Sequence, residues 1–484
     1  MKENIMYDKL FRKILSVGVV FLIVGNVAAL SETEAERKRV VETTDKMNLL
    51  HGHGMVTDKT KDCLEIPDDY PGIRDFSVAK TPPEIDFAPI RGLNPEYFPE
   101  DNKGYWTQWG EVTKGPNGCF YMASGDHRCK DGQVYITEYD PAVKRQRNVV
   151  DIAKICGWRK GQYVDGKIHG RMDIMPDGTL VAATWLGRDI KQDDLDHGYI
   201  PGGHLVTYNV FTGMAKYHGV PFYGDSWPYH SIDTQTGVIL AIGNYGMFMA
   251  YDVLEDKLLY GGMPTDGIRW NTRAMLLDDV TGRVYGTDTE VYHKFEADDN
   301  DYPFVCYDQF TNAFSRLECS VPMNPVTKKT SNLRTYTARR TPEGFFWCFD
   351  YQGTMFKFWP DEERTELVGV NWDEGGVYIA SIAMSPKCRY LYYVAGASTG
   401  SWKWGTPVIQ YDTTDGSKKV IAFLNAFYHE KYGYMTGGTF GIELSGDGSL
   451  LVIQTNGRFA PRGGGSAGQP AIFAVHIPES ERAE

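Results

Sequence analysis

This chain lacks a basic excess, and it lacks a second long apolar run. Its 484 residues carry 50 Lys and Arg against 63 Asp and Glu, a formal net charge of −13. A general nucleic-acid binder needs a basic stripe, and none is visible, which excludes nucleic acid as the main partner. An anionic ligand must then be gripped by a local set of Arg and His and not by the overall field. Beyond the N-terminal run no segment is long and apolar enough to span a bilayer as a helix, which argues against stable membrane insertion of the remainder. Helical periodicity is almost absent after residue 50. The eight Cys show no CxxC pair and no zinc-finger spacing.

What is present begins with a targeting segment. Lys9, Arg12 and Lys13 precede the apolar run Ile14–Ala28, and Val27-Ala28-Ala29 is a small-residue cleavage site. Residues 1–29 therefore read as a secretory signal, and the expected location is secreted or periplasmic. The run is short for an uncleaved anchor, and no Cys follows it as a lipoprotein would require. Export makes disulfides feasible. Cys306 and Cys319 flank a hairpin-like stretch, FVCYDQFTNAFSRLECS, nearly symmetrically, so a cross-strand pair is one reading and two buried thiols the other. Glu32–Asp45 is charged and suits a short helix, and His51-Gly-His53 reads as a solvated loop more than a metal pair.

Glycine is abundant, at 52 residues, as a turn-rich β protein needs. The stretch 167–185, KIHGRMDIMPDGTLVAATW, reads as strand, tight turn, strand. The same unit recurs as GPNGCFYMASGD (115–126), PDGTLVAATWLG (176–187), TQTGVILAIGNYG (234–246), VTGRVYGTDTE (280–290), PEGFFWCFDYQG (342–353), SPKCRYLYYVAG (385–396) and SGDGSLLVIQTNG (445–457). Six of the seven units are followed by a third strand ending in an aromatic and a turn, such as TEYDPAVK, VTYNVFTG, MAYDVLED and VCYDQFTN, and then by a fourth short strand. A four-stranded antiparallel meander repeated seven times predicts an all-β fold, a seven-bladed β-propeller. The last unit ends at its third strand, 471–477, and a strand near 82–91 would supply the outer one and close the ring. The expected organisation is signal 1–29, an N-terminal extension with the ring-closing strand 30–104, and the propeller 105–484.

In such a ring the innermost strands start, and the second strands end, on one face. First-strand starts supply His169, Arg171, Tyr229, His230, Asn271, Arg273, Arg334, Tyr336, Tyr378 and Thr439, and second-strand ends supply Asp126, His127, Trp185, Arg188, Asn244, Tyr245, Asp288, Asp350, Tyr351, Asn456 and Arg458. Such a set suits proton abstraction beside a carboxylate. Arg or His neutralises the carboxylate, and His and Tyr move the protons. On a uronic acid this is β-elimination. The catalytic candidates are His127, His169, Tyr229, His230 and Tyr245, and the substrate-binding candidates are Arg171, Arg188, Arg273, Asn271, Arg334, Tyr336 and Trp185. Each has a structural alternative. His169 can bond a strand end, His127 can tie to Asp126 in a turn, and His230 can pack behind Trp227 and Tyr229. Arg171 and Arg273 can pair with Asp173 or Asp288, and Tyr245 can cap its blade.

With seven blades, a secretory signal, SGDH at 124–127, KIHGRMD at 167–173 and the inner Tyr/His/Arg ring, the region from Tyr105 to Pro478 resembles the propeller polysaccharide lyases, notably the ulvan lyases. The resemblance implies a uronate-containing, sulfated polysaccharide or oligosaccharide substrate and a His/Tyr mechanism. It implies that His127 or His169 is the catalytic His, Tyr229 or Tyr245 the Tyr, and Arg171 or Arg273 the neutralising Arg. Two rivals use the same face. A Ca²⁺-dependent propeller hydrolase or lactonase would draw oxygen ligands from Asn244, Asn271 and Asp288. A non-catalytic exported propeller would bind glycan or protein through Trp185, Trp227, Trp270 and Tyr245. No cofactor is assigned, and Zn²⁺ or Ca²⁺ is compatible with the residue types, with Cys119, His127, Cys129 and His169 as the zinc-type set.

Overall fold

The computed structural model describes residues 30–31, 55–90, 106–126, 129–289, 298–372, 375–396, 401–459 and 467–483. Seven small antiparallel sheets stand as the blades of a seven-bladed propeller. Blade 3 shows the pattern in full, with strands Tyr229–Asp233, Val238–Ile242, Phe248–Asp252 and Lys257–Gly262 hydrogen-bonded in sequence order from the channel outward. Blade 7 is closed by the N-terminal strand Glu84–Pro89, which runs antiparallel along Ala471–His476 for its whole length. Joining the two ends of the chain in one sheet ties the ring shut and leaves no open gap between first and last blades.

The Tyr-Asp or Tyr-Asn that ends five of the seven third strands has a physical cause. The aromatic is an interblade residue: Tyr208, Tyr251 and Tyr307 are all buried. The Asx side chain that follows starts the turn. Asn209 accepts from the amides of Phe211 and Thr212, Asp252 from Leu254 and Glu255, and Asp308 from Phe310 and Thr311. The turn then folds over the glycine of the first hairpin. At Gly178, with φ +87°, an added Cβ would stand 2.4 Å from the Phe211 ring. That position therefore demands glycine for its backbone angle and for space.

Core packing lies between blades. Phe248 of blade 3 contacts Tyr307 and Phe314 of blade 4 at ring centroid distances of 4.6 and 5.1 Å, with Trp270 at 5.5 Å. Edge-on and tilted pairs of this kind stabilise each other by about 0.5–1.5 kcal/mol beyond the area they bury.

Blade 2 departs from the pattern the sequence predicts. The segment before its Thr179–Ala183 strand is not a continuous strand, and only isolated bridges, Lys167 with Trp185 and Ile174 with Leu180, attach it to the sheet. Its amides are used elsewhere: Arg171 N–H donates to the His230 carbonyl of blade 3 at 3.0 Å. A Cβ at Gly170 would meet His230 Nδ1 at 2.3 Å, so only glycine allows this approach.

The Cys306–Cys319 disulfide does not form, and all eight Cys are free thiols. The hairpin pairs Val305–Asp308 with Ala313–Arg316 in one register, so Cys306 faces Ser315 and not Cys319, and both remain buried thiols. The signal segment, the Glu32–Asp45 helix and His51–His53 lie outside the described residues. Among the described residues no helix is long and apolar enough to cross a membrane.

Candidate active site in the central channel

The inner strands deliver their side chains to the channel in two layers. The lower layer is built on Arg171. Its guanidinium reaches Asp173 at 2.6 Å, Glu443 of blade 7 at 3.1 Å and Glu111 of blade 1 at 3.4 Å. Glu111 also accepts the Tyr229 hydroxyl proton at 2.6 Å. The Tyr336 hydroxyl lies 3.2 Å from that of Tyr229 and donates to the Met275 carbonyl at 2.6 Å. Burial raises the carboxyl groups of Asp173 and Glu443 above their ordinary range, with Arg171 opposing the rise. Arg171 is thus saturated by three carboxylates, including the Asp173 partner foreseen as its structural alternative.

The upper layer lies at the end where Lys167 pairs with Trp185. Here Arg273 donates to His169 Nε2 at 2.8 Å. Nε2 is then the acceptor, and the ring proton sits on Nδ1, which is buried without a hydrogen-bond partner. His169 is 4% exposed. Burial holds its pKa well below the ordinary histidine value, and the charges of Arg273, Lys167, Arg334 and then His230 push in the same direction. The Arg273 guanidinium lies 4.7 Å from the centre of the Trp185 ring, and the His169 ring meets the same indole edge-on at 5.3 Å. Arg334 donates from Nε to the Tyr378 hydroxyl at 2.6 Å, and its guanidinium lies 5.2 Å from the Tyr378 ring. Tyr378 stacks on Tyr351 at 5.5 Å. Neither Lys167 nor Arg334 forms an ion pair with a carboxylate among the described residues. Cations held over aromatic faces with a neutral imidazole between them suit an incoming anion.

The other candidates fall elsewhere. Tyr229 and His230 are consecutive in a strand and point to opposite sides. His230 is fully buried against Gly170, neither ring nitrogen has a partner, and burial lowers its pKa to about 3. Tyr245 accepts at its hydroxyl from the Ile190 amide at 2.7 Å, tying blade 3 to the blade 2 insertion. Arg188 holds Asp194 of that insertion through two contacts at 2.5 and 2.7 Å. Asn271 accepts from the Arg273 amide at 2.7 Å and so sets the start of that strand. His127 lies outside the described residues. Lys167, Tyr351 and Tyr378 belong to the upper layer but were given no chemical role from sequence. The aromatic and basic character at strand ends was the available signal.

The zinc-type set is not one site. Cys119 and Cys129 sit at opposite ends of the seven-residue strand Phe120–Asp126, about 20 Å or more apart at the usual rise. The oxygen ligands considered for calcium are engaged: Asp288 accepts from Arg316 at 2.7 Å and from the Arg269 amide, and Asn244 donates to Asp189. Among the described residues, His and carboxylate ligands converge at Glu84, Asp86 and His476 on the ring-closing strand, where the Lys144 ammonium already bonds both carboxylates. No protein-family model matches the chain, and no curated protein matches it.

Proposed function

We propose that this propeller is a polysaccharide lyase that cleaves uronate-containing glycan by β-elimination in the upper layer of its channel. The observation that carries the reading is the neutral His169 bonded through Nε2 to Arg273, with Arg334 close enough to act on its charge state. A uronate carboxylate entering this layer is a better acceptor for Arg273 than a neutral imidazole, because a charge-assisted bond is stronger. As Arg273 turns to the carboxylate, the Nε2 lone pair is released beside it. Neutralising the carboxylate acidifies the adjacent C–H, and His169 takes that proton. The electron pair forms the carbon–carbon double bond and the glycosidic C–O bond breaks. The Tyr378 hydroxyl, held by Arg334, donates to the departing oxygen. No water enters the reaction. Export and a sulfated, ulvan-like glycan belong to the same proposal.

The test is near-ultraviolet absorbance of the purified protein with a panel of uronate polysaccharides, ulvan included. The unsaturated uronyl product absorbs there. The expected result is a steady rise that His169→Ala reduces by about a hundredfold or more. No rise with any member of the panel would overturn the reading and favour a glycan-binding propeller.

A further inference from the structure

A cavity of about 170 Å³ lies between the outer strands of blades 5 and 6, and it shares no lining residue with the channel layers. Phe76, Val326, Val370 and Trp372 form its walls. The N-terminal segment adds Ser77–Val78 as a parallel strand beside Lys419 and Val420 of blade 6. That pairing sets Phe76 on Trp372, with ring centroids 5.0 Å apart and planes 26° apart. Val370 ends the outermost strand of blade 5, Arg364–Val370. The loop carrying Val326 is fixed by Asn324, which accepts from the amides of Val326 and Thr327 and donates to the Gly375 carbonyl, each at 2.9 Å. Gly375 has φ +103°, and a Cβ there would meet Thr327 Cγ2 at 3.2 Å, so glycine suits both the angle and the approach. The cavity is therefore preformed by the fold.

Two features of the lining are left unmet by the chain. The Trp372 indole N–H is buried, in a residue 1% exposed, and has no hydrogen-bond partner. A buried donor left unmet costs about 1–3 kcal/mol. Ile73 also lines the cavity, and Ile73 and Val326 are 57% and 55% exposed, so apolar surface faces solvent at the mouth. Water would serve the indole N–H but not the apolar wall, and apolar cavities of about 150 Å³ stay dry and accept benzene. A sugar ring fits poorly, because each hydroxyl taken from water needs a partner that an apolar wall does not offer. Asp75 and Lys418 also border the cavity. They are of opposite sign and leave no net charge to select an ion.

We infer that this cavity binds a small neutral aromatic ring carrying one oxygen acceptor, a ligand of the phenol class. The ring packs against the walls made by Phe76, Val370 and Trp372 and covers Ile73 and Val326. Its oxygen accepts from Trp372 Nε1. The site is separate from the channel and requires no glycan turnover.

The experiment is proton–nitrogen NMR of the full chain with nitrogen-15-labelled tryptophan, titrated with phenol and, separately, with toluene. The chain has 11 Trp, and Trp372→Phe identifies the Trp372 indole signal by its loss. Phenol is expected to move that signal downfield and saturably. It should bind about tenfold more tightly than toluene, which has the same shape but no acceptor. Val370→Phe, which fills the cavity, should abolish the saturable shift. A Trp372 signal that phenol does not move, or phenol shifts confined to other indoles, would overturn the proposal. So would equal affinity for phenol and toluene. The phenol–toluene contrast is read on the unmutated protein and is independent of whether any polysaccharide is cleaved.

Discussion

Arg171 and Arg273 look alike in the sequence, each near the start of an innermost strand, but the fold puts them to opposite uses. Arg171 is enclosed by Glu111, Asp173 and Glu443. Arg273 rests on Trp185 and bonds a neutral histidine. The lower layer therefore has its cation satisfied from within, and the upper layer has cations oriented toward whatever enters. The difference lies in the partners that other blades supply, not in the arginine. Residue type alone does not say whether a cation is structural or receptive.

The comparison can be broken most forcefully by removing each arginine. Arg171→Met leaves three carboxylates facing one another without their cation, and breaking a buried pair of this kind costs about 3–5 kcal/mol. Arg273→Met removes the bond to a neutral ring and the contact with Trp185 but leaves no carboxylate cluster without its cation, and should cost less, about 1–2 kcal/mol. Urea unfolding of both variants measures the contrast, and equal losses would erase the distinction between the layers.

A second test concerns Asp165, which anchors the segment leading to Lys167 and His169. Its carboxylate is fully buried, accepts from Thr184 Oγ1 and the Tyr199 hydroxyl, and has its pKa raised by burial to about 7. A carboxyl with a raised folded pKa binds more protons folded than unfolded, so its contribution to stability is lost as pH rises from about 4 through about 7. Asp165→Asn should therefore shrink the stability difference between about pH 5 and pH 8 by on the order of 2 kcal/mol, read from unfolding curves at the two pH values. A small effect is also expected at Tyr336→Phe. It removes the bond to the Met275 carbonyl at a cost of about 1 kcal/mol, leaves Arg171 and its carboxylates in place, and should leave His169 untouched by NMR.

Much of this was legible in the sequence because propeller blades repeat. The hairpin glycines, the Tyr-Asp turns and the unpaired third strand at 471–477 led to seven blades and to ring closure near 82–91. The rule that inner-strand starts and second-strand ends share a face brought His169, Arg273, Arg334, Trp185, Tyr351 and Tyr378 to one neighbourhood. What stayed hidden depended on contacts distant in the chain. The carboxylates that saturate Arg171 come from 60 and 272 residues away. Tyr245 is occupied by an insertion of another blade. For the cysteines the buried-thiol reading of Cys306 and Cys319 held, and the disulfide and the zinc set failed on geometry that spacing does not reveal: the hairpin register for Cys306 and Cys319, and an intervening strand for Cys119 and Cys129. Lys167 was passed over because an isolated lysine in a polar stretch is normally solvated.

The central claim is that the upper layer holds His169 neutral and hydrogen-bonded for an arriving carboxylate. The direct measurement is an NMR titration of the ring nitrogens of His169, with and without glucuronate. In the free protein the ring should stay neutral with its proton on Nδ1 well below the ordinary pKa of about 6.5, because burial and the surrounding cations resist protonation. Glucuronate should shift the Nε2 resonance as Arg273 leaves it. A His169 that titrates near the ordinary value, and whose Nε2 resonance ignores glucuronate, would contradict the account.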